Sequence, residues 1–158
     1  GRDAPLVSVG EALLRAGFAR FRPDAAAIAC RNGFLSAERE ARDRRLGLWA
    51  NDEYVVVDAG KRDAHFVSKG MALVEGVVSG IGDAGGSLYL NFGPRRGVDF
   101  AVVIWKRNLE AFERAGLRPR MLTGRRVRVR GLIETRSGPR MEIASPAEIE
   151  LVDAPSDR

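Results

Sequence analysis

The chain has 158 residues, room for one domain or a small domain with an appendage, and its 45% hydrophobic and 30% charged residues predict a soluble protein with a real core. No apolar run approaches the ~20 residues a transmembrane helix needs. Cys30 and His65 are each the only residue of their kind, which excludes an internal disulfide and a cysteine zinc cluster and makes a His-built metal site a poor expectation. The net charge of +5 is uneven: residues 118–140 hold Arg118, Arg120, Arg125, Arg126, Arg128, Arg130, Arg136 and Arg140 against one acid, Glu134. The start, Gly1-Arg2-Asp3-Ala4-Pro5, lacks an initiator Met and does not read as a signal peptide; it reads as a processing boundary, and export would depend on a signal or anchor upstream.

In chain order, the first predicted element is a helix opening at Ser8. Ser8 and Glu11 have the spacing of a capping box, Val9, Ala12, Leu13 and Ala16 form an apolar face, and Gly17 is the stop. Asn32-Gly33 interrupts the stretch from Asp24, so a separate turn is expected before the second helix. In that helix Ala37, Ala41 and Leu48 track one face. Glu38–Arg42 and Glu40–Arg44 form pairs worth about 0.2–0.5 kcal/mol each.

The run Ser8-Val9-Gly10-Glu11-Ala12-Leu13-Leu14-Arg15-Ala16-Gly17-Phe18-Ala19 resembles a helix of the staphylococcal-nuclease-like (thermonuclease) family. Ala37-Glu38-Arg39-Glu40-Ala41-Arg42, closing on Leu46-Gly47-Leu48-Trp49, resembles that family's last helix. The resemblance implies that the catalytic arginines and glutamate, and the acids that hold calcium, lie upstream of Ser8. Arg2 alone follows a glycine as the family arginine does, and it stands too close to the helix for the hairpin that normally intervenes. Asp52, Glu53, Asp58 and Asp63 are scattered through a connector and do not form a hard-cation site. This chain is therefore expected to supply no catalytic residue, no metal ligand and no cofactor. Calcium is implied only for a complete nuclease-like domain.

Residues 51–68 read as that connector, with Val55-Val56-Val57 as a short extended piece. The pattern then turns strand-rich. Residues 71–81 are apolar and broken by Gly76 and Gly80, and Asp83-Ala84-Gly85-Gly86 is a turn. Residues 87–92 place Leu88, Leu90 and Phe92 on one face, Tyr89 and Asn91 on the other. A basic loop, Gly93-Pro94-Arg95-Arg96-Gly97, leads to a third strand over 98–105. A short helix over 108–115 has Asn108 as cap, Leu109 and Phe112 facing inward and Gly116 as stop. The fourth strand covers 127–134. The fifth begins at 140–144 and continues at 149–152, joined to the fourth by residues 135–139. Residues 154–158 are expected to be a disordered tail.

The fold class is thus α+β: two N-terminal helices over 1–50, a connector over 51–68, and a five-stranded barrel over 69–153 with one helix between strands 3 and 4. That strand and helix order is that of an OB-fold. An SH3-like barrel or a barrel split between two chains fits the strand count too, and the helix favours the OB-fold. The phrases Tyr89-Leu90-Asn91-Phe92-Gly93, Asp99-Phe100, Gly124-Arg125-Arg126-Val127-Arg128-Val129-Arg130-Gly131 and Gly138-Pro139-Arg140-Met141-Glu142-Ile143 resemble the OB-like domain of some bacterial nuclease-related proteins.

Such barrels bind single strands by stacking bases on aromatic platforms in a basic groove. Tyr89, Arg95, Arg96, Arg126, Arg128 and Arg130 are the candidates, expected together on the outward face of strands two to four. Trp105-Lys106-Arg107 closes the third strand, and Trp105, sharing a face with Ala101 and Val103, can equally cover the helix. Like charges at Arg126, Arg128 and Arg130 call for acidic partners or an anion. As exposed strand residues, Arg128 and Arg130 are expected to be removable without loss of the fold. The expected partner is single-stranded DNA or RNA, bound without sequence readout; only 7% of residues are aromatic. Two alternatives are an interaction module, binding the missing nuclease barrel or a partner protein, and a calcium-dependent nuclease once the upstream barrel is supplied.

Overall fold

A computed structural model describes residues 8–23, 28–62, 64–66 and 70–152. Expectations concerning Arg2, Asp24, Asp63 and residues 154–158 lie outside the described residues. The chain divides into two compact units, Gly1–Val55 and Val56–Arg158. Among the described residues no helix is long and apolar enough to cross a membrane.

The first unit is built on helices α1 (Val9–Arg15) and α2 (Arg31–Asp43), followed by 3-10 turns at Gly47–Ala50 and Asp52–Tyr54. The expected capping box at Ser8 does not form: its side chain caps nothing, and Glu11 instead pairs with Arg15 at 2.7 Å. The expected apolar face is also wrong. Leu14 is the buried residue, clustered with Phe21, Leu35 and Ala37, while Val9 and Leu13 are 76% and 44% exposed. Gly10, one turn before Leu14 on the same side of the helix, lies in ordinary contact with the Phe34 ring.

The separate turn expected before the second helix is a 3-10 turn at Ile28–Cys30, but the break falls before Arg31 and not at Asn32-Gly33, which lie in the first turn of α2. The repeat of Leu35, Ala37, Glu38 and Ala41 on the buried face outweighs the ~1 kcal/mol that a glycine costs in a helix. The pairs Glu38–Arg42 (3.8 Å) and Glu40–Arg44 (3.4 Å) form as expected. Glu38 is fully buried and accepts the Phe21 amide at 2.7 Å. Trp49 is buried, with the Arg20 and Arg42 guanidiniums 5.4 and 5.7 Å from its ring centre. Gly17 ends α1 at φ 75°, and the Leu48 amide donates to its carbonyl at 2.8 Å. A Cβ on Gly17 would lie 2.2 Å from the Leu46 carbonyl oxygen, and one on Gly47 would lie 2.3 Å from that of Gly17. These two glycines let the end of one helix cross the end of the other.

Among its described residues the second unit holds eight strands. A short β1 (Val57–Asp58) runs parallel to β2 (Met71–Val77), and β3 (Gly80–Ala84) forms a hairpin with β4 (Ser87–Asn91). Then come β5 (Ala101–Trp105), helix α3 (Leu109–Arg114), β6 (Arg126–Glu134), β7 (Arg140–Glu142) and β8 (Ile149–Leu151). The order is β1-β2-β6-β7-β5-β4-β3, with β8 on the free side of β6. β2 and β3 are halves of one bent segment: Val78 bonds back to the start of β6, and Ser79 to Asn91 on β4. The two ends of the sheet are therefore joined by chain, and the sheet curls on itself in an OB-like arrangement.

The strand count differs from the five expected. The bend at Val78–Ser79 splits the first, a 3-10 turn at Pro146–Glu148 splits the last, and β1 is additional, so α3 stands between the fifth and sixth strands. That 3-10 turn carries the true capping box, from Ser145 and Glu148. Inside the barrel lie Val74, Leu88, Leu90, Phe92, Phe100, Val102, Ile104, Val127, Val129 and Met141, each about 1.5–3 kcal/mol of burial for a full-sized apolar side chain. Phe112 of α3 enters the same core, while Asn108 makes no side-chain cap. Gly76 is required on β2, since a Cβ there would meet the Phe92 ring at 2.8 Å.

Candidate nucleic-acid interface

Alternation along β4 turns Leu88 and Leu90 into the barrel and Tyr89 and Asn91 out of it. Register pairs Tyr89 with Gly82 on β3 and Val103 on β5, and Asn91 with Gly80 and Ala101. The small residues at Gly82 and Ala101 leave the half-exposed Tyr89 ring standing in a shallow floor. Over it lies a cleft of about 270 Å³ lined by Tyr89, Asn91, Ala101 and Val103 and walled by two loops.

One wall is the loop from β4 to β5. Arg95 donates its backbone amide to Asp99 Oδ2 at 2.8 Å and its guanidinium to Asp99 Oδ1 at 2.6 Å. These bonds, side chain first and then amide, hold the Asp99 carboxyl below the usual carboxylate range. Arg95 is thus committed to shaping the loop. Arg96 is different: it is exposed, it lines the cleft, and among the described residues it meets no carboxylate. The other wall is the loop from β6 to β7, with Ser137, Gly138 and Pro139 at the cleft. Gly138, at φ 93°, meets Gly97 so closely that a Cβ would lie 2.2 Å from the Gly97 carbonyl oxygen. Arg140 lines the cleft as well, but Glu134 takes its guanidinium with two oxygens at 3.0 Å.

At the hairpin end, Asp83 also reaches the cleft and is bridged by Lys106 and Arg120, each at 2.6 Å. Those hydrogen bonds lower the Asp83 pKa. Trp105 lies farther along β5, under the Gly86 turn, with the Arg107 guanidinium 5.0 Å from its ring centre.

The structure puts Tyr89 and Arg96 at one cleft, holds Arg95 on Asp99 in the wall beside it, and leaves Arg126, Arg128 and Arg130 elsewhere. Those three point outward from β6, but β7 and β5 stand between β6 and β4. They are also ion-paired: Arg126 and Arg128 hold Glu75 at 2.7 and 2.9 Å, and the buried Arg130 holds Glu150 at 3.1 Å. The acidic partners that the arginine stripe called for are thus on β2 and β8 of the chain itself. Sequence reasoning missed Asn91 and the 135–139 loop as parts of the cleft; the polar run ending Ser137-Gly138-Pro139 was the available signal. Among the described residues no group of three or more His, Cys, Asp or Glu is placed to hold a metal ion.

No family model and no curated protein matches the chain. Solved structures similar to it include the Stn1-ten1 complex of S. pombe, at 23% identity over 56% of this chain and 62% of that one, with a TM-score of 0.41. Asparaginyl-tRNA synthetase from Pyrococcus horikoshii is similar at 20% identity over 67% of this chain and 24% of that one, with a TM-score of 0.39. OBody AM1L10, bound to hen egg-white lysozyme, is similar at 20% identity over 53% and 80%, with a TM-score of 0.37. The chain spans less than two thirds of the Stn1-ten1 chain and about a quarter of the synthetase. The strand order, rather than these partial likenesses, defines the OB-like barrel.

Proposed function

We propose that the barrel binds single-stranded nucleic acid, without sequence readout, in the cleft over β4 and β5. The observation that carries this reading is one aromatic ring, Tyr89, and one guanidinium, that of Arg96, which meets no carboxylate among the described residues, at the same recess between two loops. A base stacks on Tyr89 and Arg96 takes an adjacent phosphate, in the region where OB-folds hold oligonucleotides. Fluorescence anisotropy with a labelled oligothymidylate, repeated across a salt series, tests it. Affinity should fall with salt at a slope near −0.7 for each phosphate contact. No measurable affinity at low salt sinks the reading and favours a protein-interaction module.

The resemblance of residues 8–49 to the closing helices of a staphylococcal-nuclease-like domain supports a finer proposal. The barrel presents a strand to a nuclease domain supplied by the parent protein, and this chain alone hydrolyses neither DNA nor RNA. Chelator-sensitive cleavage of single-stranded DNA by the purified chain with calcium would refute that.

A further inference from the structure

A second recess, of about 750 Å³, lies on the other side of the β4–β5 loop. Its lining comes from residues 59–62, Ala64 and Phe66, which follow β1, and from residues 92–95 and 98–100. Asp99 lines both recesses, so the loop that Arg95 and Asp99 brace forms a saddle between them. Gly93 keeps that saddle tight, since a Cβ on it would lie 2.4 Å from Asp99 Oδ2.

The second recess repeats the chemistry of the first. Phe66 is half-buried, stacked on Phe100 with ring centres 5.1 Å apart and planes 9° from parallel, and it lines the recess. Lys61 and Arg62 are exposed there, and among the described residues neither meets a carboxylate. The nearby carboxylate of Asp58 accepts the Gly60 amide at 2.9 Å and shapes the turn.

We propose that this recess is a second subsite for the same strand, which crosses the saddle from Tyr89 to Phe66 with Lys61 and Arg62 on its phosphates. The inference rests on the proposed nucleic-acid reading. A single-stranded occupant is favoured because the two recesses are contiguous and each offers a ring beside one or two cations that meet no carboxylate among the described residues, which suits a repeating base-and-phosphate polymer.

The test compares oligothymidylates of about 4 and about 12 nucleotides, spanning part of the site sizes known for such barrels. It uses the full chain and its K61A/R62A, F66L and Y89L variants. For the long oligonucleotide, K61A/R62A should flatten the salt slope by about 1.4, two contacts at 0.7 each. F66L should weaken long-oligonucleotide binding by at least about fivefold, the low end of a lost stack. Binding of the short one should respond to Y89L and not to K61A/R62A. Exposed Lys61 and Arg62 can be removed without touching the core, so their arm stands even if F66L unfolds. Unchanged long-oligonucleotide binding in K61A/R62A overturns the subsite while leaving the Tyr89 reading in place. Equal losses for short and long oligonucleotides overturn it as well, and absence of binding to either removes both proposals.

Discussion

Arg95 and Arg96 are neighbours in sequence and opposites in role. Arg95 spends its cation on Asp99, while Arg96 meets no carboxylate among the described residues and is the one proposed to meet a phosphate. Arg96→Ala should therefore reduce the salt slope of binding by about 0.7 and leave thermal stability unchanged. Tyr89→Phe should bind like the parent and Tyr89→Leu should lose ~1–3 kcal/mol, because the stacked ring face matters and the hydroxyl does not. Both measurements come from the same anisotropy titrations. These two residues were legible in sequence, Tyr89 from alternation and Arg96 from its place in a basic loop. Arg128 was not: its partner Glu75 is 53 residues away, and alternation distinguishes inside from outside without saying which side of a barrel is meant. Backbone conformation gives a sharper contrast. Gly17 and Arg45 occupy equivalent positions after α1 and α2, both at positive φ. Gly17→Ala combines left-handed strain with a clash against Leu46 and should cost more than ~1 kcal/mol, whereas Arg45→Gly should be neutral or stabilising by a few tenths. Urea unfolding of the two variants distinguishes them; a silent Gly17→Ala would contradict the crossing at the helix ends.

Between strands, the charged rows of β2, β6 and β8 form one lattice. Glu75 stands opposite Arg128, which stands opposite Glu150. Burial alone would raise the Glu75 pKa, but the guanidiniums of Arg126 and Arg128 outweigh it and the net shift is downward. The folded protein thus binds this proton less readily than the unfolded chain. The stability that Glu75 contributes is complete above the ordinary glutamate range and is lost as pH falls through the lowered value. Glu75→Gln should accordingly be less stable than the parent at neutral pH, with the gap closing on acidification; a pH-independent gap would contradict the ion pairs. Removing Arg130 takes from Glu150 its nearer cation and leaves Arg128 at 3.9 Å, so Arg130→Ala should lower stability in chemical denaturation, by less than the about 3–5 kcal/mol of a wholly uncompensated buried charge. That reverses the expectation that Arg128 and Arg130 are dispensable to the fold. The elements themselves were largely visible beforehand: the Gly85-Gly86 hairpin, the inward residues of β4 and β6, and the Gly116 stop all follow from local chemistry. The turn expected at Asn32-Gly33 lies instead at Ile28–Cys30, ahead of the buried face of α2, and the Ser8 capping box gives way to the pair of Glu11 with Arg15.

Over the whole chain, a pI near 10.1 describes less free positive charge than it suggests, since many arginines near β6 are answered by acids of the chain itself. Among the described residues, cations that meet no carboxylate include Lys61, Arg62 and Arg96 at the two recesses and Arg118 and Arg136 outside them. Sequence could supply the sum and could not supply this difference, which depends on pairings across the barrel. The bent β2–β3 segment carries one more consequence, for synthesis on the ribosome. β2 emerges early, yet its partner in β6 is made more than fifty residues later, with Met71 opposite Leu132. The β3–β4 hairpin can form as soon as it leaves the tunnel, but β2 must wait with its edge unpaired until Glu134 is out. Long-range closure of this kind is slow and exposes a sticky edge in the interval. Nascent chains halted before β6 should therefore be degraded readily by added protease, and chains released beyond β8 should resist it.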